Sequence, residues 1–280
     1  MNKVKIVTDS TVDMTPEEFE YYGITMVPLS ISIDGETFLD KVEIEQDEFL
    51  RRMNQSKELP KSSQPAVGTF LEVYNELGKD GSEIISIHMT GGMSGTVRSA
   101  ESAAGMSDAK VTVYDSEFIS KAMSFQVIEA AKMANEGKST EEIMQRLETI
   151  RKQSSLIIVI ETLDNLVKGG RIGKVSAFIG SLLHIKPIAL LDGGVLNPVS
   201  KARSQSQVVK FISKKFKEDT QGKQVKGIGF VHANGYEMAD KVRKAITEIS
   251  GVQDIKLEAT TAVVSTHTGE GAMAIMYYWD

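Results

Sequence analysis

The chain has no cysteine, which removes several kinds of chemistry at once. Disulfides, thiolate nucleophiles and zinc–thiolate centres are excluded, and the composition suits a reducing compartment. No apolar run approaches the ~20 residues needed to cross a bilayer. Met1-Asn2-Lys3-Val4-Lys5 leads straight into a strand-like segment without the apolar core of a secretory signal, so the expectation is a soluble, cytoplasmic protein. A cationic excess is also missing: 32 Lys and Arg stand against 38 Asp and Glu, a net charge of −6. Neutralising nucleic-acid phosphates needs clustered positive charge, so no nucleic-acid partner is expected. His88, His184, His232 and His267 lack i,i+3 or i,i+4 histidine partners, and neither a metal nor a resident cofactor is expected. Glycine-rich nucleotide fingerprints, long-period repeats and low-complexity tracts are absent.

What remains is enough for a substantial core: 280 residues with 41% hydrophobic content, matching one large or two modest domains. Strand signals alternate with helix signals. Residues 4–8 read as a strand, and Thr15-Pro16-Glu17-Glu18 supplies an N-cap, a first-turn proline and acidic residues. Residues 25–33 read as one β-branched strand turning at Asp34-Gly35 into 36–39. Helices are expected at 45–54 and 64–77, the latter placing Ser62-Ser63 at a helix entrance where Ser63 could cap it. Strands at 83–88 and 111–114 precede helices from Gly95 and over 119–135, and Ser139-Thr140-Glu141-Glu142 caps another helix ending near Lys152. This alternation implies an α/β fold with a mainly parallel sheet in the first half. The expected boundary divides residues 1–154 from 155–280. The second half reads as strands at 156–161, 187–191, 195–199, 227–231 and 255–262, with helices at 163–168, 174–183, 204–217 and 235–248, and a short last helix ending near Tyr277. The lysines of 210–217 alternate with Phe211, Ile212 and Phe216 at helical spacing, an ordinary solvated face.

Three hydroxyl-rich segments stand beside element ends: Ser62-Ser63-Gln64-Pro65, Ser94-Gly95-Thr96, and Ser265-Thr266-His267-Thr268-Gly269. Hydroxyls and helix-start amides donate to carboxylates, and such charge-assisted bonds are strong, so the first expectation is a bound acid. Together with Thr8-Asp9-Ser10-Thr11 and Gly169-Gly170-Arg171-Ile172, these segments make the chain resemble the DegV family of bacterial lipid-binding proteins, in family order from residue 6 to 275.

That resemblance implies a two-domain DegV-like fold, with a mainly parallel sheet in the N-terminal domain, a mixed sheet in the C-terminal domain and one fatty acid in a buried tunnel between them. It also implies a non-catalytic subunit that presents the fatty-acid carboxylate to an ATP-dependent fatty acid kinase for acyl-phosphate formation, with transient membrane-surface contact. The matching carboxylate-binding positions are Ser62, Ser94, Gly95 and His267. Ser62 stands where the family usually has Thr, and Glu270 where it has Pro. Arg171, Arg203 and Thr266 are candidates for the inter-domain network or the partner contact. The stripe Val175, Phe178, Ile179, Leu182, Leu183 in 174–183 reads as core packing or as a mobile flap over the tunnel.

Each motif also has a plainer meaning. Ser62 could be an N-cap, His88 a strand-end structural residue, and Asp9 and Asp13 turn residues. The competing activity is a serine hydrolase with Ser94 as nucleophile, His267 as base and Asp115 as orienter. No Gly-x-Ser-x-Gly elbow supports it.

Overall fold

The computed structural model describes residues 3–178 and 185–280. Two principal sheets enclose one long helix. The first sheet contains β1 (Val4–Asp9), β2 (Ile24–Val27), β6 (Glu83–His88) and β7 (Val111–Asp115), ordered β2-β1-β6-β7 and parallel throughout. Alternation along these strands sends side chains to two cores. Val7, Val27 and Ile84 meet Phe70 and Tyr74 of α3 (Val67–Gly78) and Ala100 and Ala103 of α4 (Thr96–Ala104). On the opposite face Ile6, Ile85 and Ile87 meet Ala122, Met123 and Val127 of α5 (Ser120–Asn135).

The second sheet is mixed and ordered β10-β9-β8-β13-β11-β12. Its strands are β8 (Ser154–Val159), β9 (Lys186–Asp192), β10 (Val195–Ala202), β11 (Val225–His232), β12 (Leu257–Ala259) and β13 (Met273–Trp279). Only β11 and β12 pair in parallel. Leu156, Ile158, Ala274 and Met276 face the α5 side, whereas Ile157, Val159, Ile275 and Tyr277 face Val208, Ile212 and Phe216 of α8 (Gln205–Thr220) and Val242 and Ile246 of α9 (Tyr236–Ser250). The core around α5 therefore runs without interruption from Val4 to Met276.

A third sheet, ordered β4-β3-β5, is built from β3 (Ser30–Ile33), β4 (Glu36–Leu39) and β5 (Lys61–Ser63). The expected Asp34-Gly35 turn is there, with both residues at positive φ (51° and 83°), the backbone twist a two-residue hairpin requires.

Several expectations need correction. The single strand read over 25–33 is two strands in different sheets, because Pro28 lacks the N–H needed to continue the ladder. Ser62 and Ser63 lie in β5 and not at a helix entrance; α3 starts at Val67 behind Ala66, and Ser63 does not cap it. The strand read over 255–262 stops at Ala259, and the hydroxyl-rich segment after it is helical, as α10 (Ala262–Thr268) capped by Thr261. The last element is no helix: Met273–Trp279 is β13, flanked by β8 and β11. An uninterrupted apolar run hides the period-2 burial of a strand whose faces are both covered. The helix expected at 174–183 begins instead as a 3-10 helix, Gly173–Phe178, with Val175 buried; Ile179, Leu182 and Leu183 lie outside the described residues.

Ile275 is fully buried in β13 against the α8/α9 layer. Ile275→Ala is expected to cost about 2–5 kcal/mol by lost burial and the cavity left behind. Urea denaturation checks this, and an unchanged midpoint would remove the residue from the core.

Candidate functional site

A cavity of about 320 Å³ lies between the sheets, with walls from both halves of the chain. Its apolar lining includes Leu29, Met89, Met93, Ile119, Leu156, Ile158, Leu166, Leu191, Leu196, Val263 and Val264. Thr11, Ser62, Ser63, Gln64, Ser94, Arg171, His267 and Thr268 supply the polar lining. Ser63 and Gln64 are exposed whereas Leu156, Leu191, Leu196 and Val263 are buried, so polar lining reaches solvent while much of the apolar wall is closed off.

The polar residues form a closed circuit. Ser62 Oγ lies 2.7 Å from His267 Nε2, joining β5 to α10 across 205 residues of sequence. The His267 ring rests against Gly169, where an added Cβ would come within 2.5 Å of Nδ1. The Gly169 carbonyl accepts a bond from Arg171 Nη1 at 2.6 Å, and Arg171 Nε donates to the Met93 carbonyl at 3.1 Å. Met93 leads through Ser94 to Gly95, the N-cap of α4. Gly95 is pressed by the side chain of Gln64, whose Oε1 would sit 2.1 Å from an added Cβ. Gln64 returns to Ser62 through Ser63. Four segments far apart in sequence are thus brought to one rim.

Ser94 Oγ is 2.8 Å from Thr96 Oγ1 and accepts the Thr96 amide at 3.3 Å, while the N-cap Gly95 has no side chain to take the amides that follow. Uncapped helix-start amides suit an anionic oxygen. His267 is mostly buried, and burial first, then the nearby Arg171 charge, holds its pKa down to about 4. The imidazole is therefore neutral near pH 7. Among the described residues its Nδ1 has no hydrogen-bond partner. An unpaired buried N–H is costlier than a bare acceptor, which favours the proton on Nε2. In that tautomer His267 donates to Ser62 Oγ and leaves the serine hydroxyl free to donate into the cavity.

The other candidates fall elsewhere. Thr266 is buried with its hydroxyl bonded to the Ala262 carbonyl at 2.9 Å, so it does not line the cavity, although its own carbonyl accepts from Asn165. Arg203 is exposed beyond the end of β10 and is not among the lining residues. The hydrolase constellation does not assemble: His267 pairs with Ser62 and not Ser94, while Asp115 accepts the Gly91 and Glu117 amides. His88 is a buried structural residue between Ser86 and Asp9. Asp9 holds the turn at Thr11, but Asp13 is more than a turn residue: it accepts from Ser120 on α5 and, at 3.0 Å, from Thr260. Gln64 and Thr11 were legible only as neighbours of the motif serines, and nothing in the spacing of the apolar lining separates it from ordinary core.

A family model described as an uncharacterised protein, DegV family, matches residues 3–280. The chain belongs to the DegV family. A DegV domain-containing protein of Listeria monocytogenes is 44% identical over 281 residues, covering 100% of both chains. Among solved structures, the fatty-acid-binding DegV protein of Thermus thermophilus superposes with a TM-score of 0.93 at 29% identity, covering 99% of this chain and 100% of its own. The DegV fatty-acid-binding protein of Bacillus subtilis gives 0.91 at 33%, with both chains covered completely. The fold of this DegV chain, with a parallel sheet in the first half and a mixed sheet in the second, is that of these relatives.

The depressed histidine pKa has a stability consequence. Between the ordinary value of 6.5 and about 4 the unfolded chain binds a proton at His267 that the folded chain resists. Unliganded protein should therefore lose stability through this group as pH falls across that window, by on the order of 2–3 kcal/mol at its acid end. His267→Gln should flatten that part of the pH profile in denaturant titrations, and identical profiles would remove His267 as its source.

Proposed function

We propose that this protein binds a long-chain fatty acid in the inter-domain cavity and holds its carboxylate at Ser62, Ser94, Gly95 and His267, with Arg171 beside them. The observation that carries this reading is the closed polar rim above a buried apolar wall. Its support from relatives is that the Thermus thermophilus and Bacillus subtilis proteins bind fatty acids. Each buried methylene contributes about 0.8 kcal/mol, so roughly fifteen carbons supply on the order of 10 kcal/mol before ordering costs. The hydroxyls add orientation: a carboxylate at the rim accepts from Ser62, freed by the His267 tautomer, from Ser94 and from the amides opening α4.

The protein acts as a presenting subunit and not as an enzyme. An ATP-dependent kinase partner supplies ATP, and the fixed carboxylate attacks its γ-phosphorus to form an acyl phosphate as the β–γ anhydride bond breaks and ADP leaves. The serines are donors and not nucleophiles, since His267 Nδ1 lacks the carboxylate that would orient a general base. Arg203, exposed and away from the cavity, belongs to the partner-facing surface.

Ser62→Ala combined with Ser94→Ala is expected to weaken fatty-acid binding by about 10–100-fold, the loss of one or two charge-assisted bonds, with the fold intact by circular dichroism. Unchanged affinity in a fatty-acid titration would refute the carboxylate assignment. His267→Gln should retain most of the affinity, which comes from the tail, yet slow acyl-phosphate formation with the kinase by roughly 100-fold, as expected for a misplaced reacting group. A wild-type rate would separate His267 from presentation.

A further inference from the structure

Helix α10 carries His267 in its last turn and is only 7 residues long, so its end depends on groups from outside it. Gly269, at φ 75°, takes the chain out of the helix and returns one N–H, to the Ser265 carbonyl at 2.9 Å. The Thr266 carbonyl is next in line. Its donor comes from Asn165 in α7 (Asp164–Lys168), whose Nδ2 donates to it at 3.0 Å across 101 residues of sequence. The same nitrogen donates to Met53 Sδ of α2 (Gln46–Gln55) at 3.9 Å. Both partners are acceptors, so the amide sits one way round, with its NH2 group toward Thr266.

The backbone of Asn165 reaches the same ring by a second route. Its carbonyl accepts the Gly169 amide at 2.8 Å, and a Cβ on Gly169 would stand 2.9 Å from that oxygen and 2.5 Å from His267 Nδ1. Gly169 is held in this narrow seat against the imidazole, and its own carbonyl anchors Arg171. Asn165 Oδ1 fills the space beside Gly269, 3.0 Å from where a Cβ would be. One residue therefore sets both the backbone that delivers His267 and the surface on which the ring rests. Capping a helix end would need only the first.

We propose that Asn165 is a positioning residue for His267, holding the ring in register with Ser62 through the Thr266 carbonyl and Gly169. Its importance for ligand rests on the reading of Ser62 and His267 as carboxylate-holding groups, but the register itself is measurable without any ligand. Removing the amide takes this donor from the Thr266 carbonyl and loosens the last turn of α10, and a backbone shift there is carried out to Nε2, which lies 2.7 Å from Ser62 Oγ. A hydrogen bond of that length does not survive an ångström-scale displacement. With the ring off the serine, nothing selects the Nε2–H tautomer, and the Ser62 hydroxyl is no longer directed into the cavity. Asn165 is not among the cavity-lining residues, so its replacement leaves the apolar wall as it is.

The test is nitrogen NMR of the imidazoles in the full chain near neutral pH, with fatty-acid titration and acyl-phosphate formation with the kinase alongside. Asn165→Leu keeps the volume and removes the donor, whereas Asn165→Ala removes both, and either decides the matter if the other folds poorly. Wild-type His267 should show the separate Nδ1 and Nε2 signals of a fixed Nε2–H tautomer. In the variants these signals should converge as the tautomers mix, acyl-phosphate formation should slow at least about tenfold, and affinity should stay within about threefold. Ser139→Ala, which removes the N-cap of α6 (Thr140–Lys152), controls for lost stability alone and should leave the His267 signals in place. Unchanged His267 signals in the Asn165 variants, equal movement in Ser139→Ala, or acyl-phosphate formation at the wild-type rate would overturn the proposal. Converging signals in a protein whose wild type takes up no fatty acid would uphold Asn165 as the positioning residue and refute the fatty-acid reading instead.

Discussion

The hydrogen bond between Ser62 and His267 is the contact on which the site depends, because it ties β5 to α10 at the rim of the cavity. It works only in a dry, crowded setting. Burial keeps the imidazole neutral, and a neutral ring can pass one N–H to the serine and leave the serine hydroxyl for a ligand. A charged ring would add attraction for a carboxylate but would need its second N–H satisfied, and among the described residues nothing accepts from Nδ1. Positive charge comes instead from Arg171, whose guanidinium is anchored on the Gly169 and Met93 carbonyls.

The rim is precise because the layers beneath it are continuous. Helix α5 packs against both principal sheets, and its core extends from the first strand to the last. Asp13, buried between Ser120 and Thr260, fastens the start of α5 to the segment leading into α10. Burying a carboxylate this way raises its pKa, desolvation outweighing the opposing influence of Lys41, the two hydroxyl donors and Lys121. The halves are therefore held at a defined spacing by apolar packing and by polar contacts at the seam, and the cavity occupies the space that packing leaves.

How much of this was legible in the sequence follows from the kind of signal each part leaves. Capping and turn chemistry is local: Thr15 and Ser139 form capping boxes where the residue pattern places them, and Asp34-Gly35 turns as expected. Ser62, Ser94 and His267 stand out through the family resemblance of the segments that carry them, since each alone also has a plain structural reading. Long-range pairing leaves no such mark. Met273–Trp279 is an apolar run covered on both faces, so its alternation is invisible, and Ser62 lies in a three-residue strand defined only by its partner β3. The cavity-lining side chains are equally hidden, since Leu156 and Ile158 belong to the same buried cluster as their core neighbours and differ only in also lining the cavity.

Two glycines show how closely the circuit is built. At Gly95 any side chain would strike Gln64, and at Gly169 it would strike both His267 and the Asn165 carbonyl. Neither glycine has a positive φ, so the requirement is space and not backbone conformation. At Gly169 the obstacle includes backbone, which cannot swing aside as a flexible side chain can, so even a methyl group would have to push the imidazole away from Ser62. The glycine pair Gly169-Gly170 thus does more than end α7 (Asp164–Lys168): Gly170 takes the positive φ of 71° that turns the chain, and Gly169 makes room for the histidine. A helix terminator and a binding rim share one dipeptide, which explains why a motif with an ordinary stop-signal reading stands beside the site.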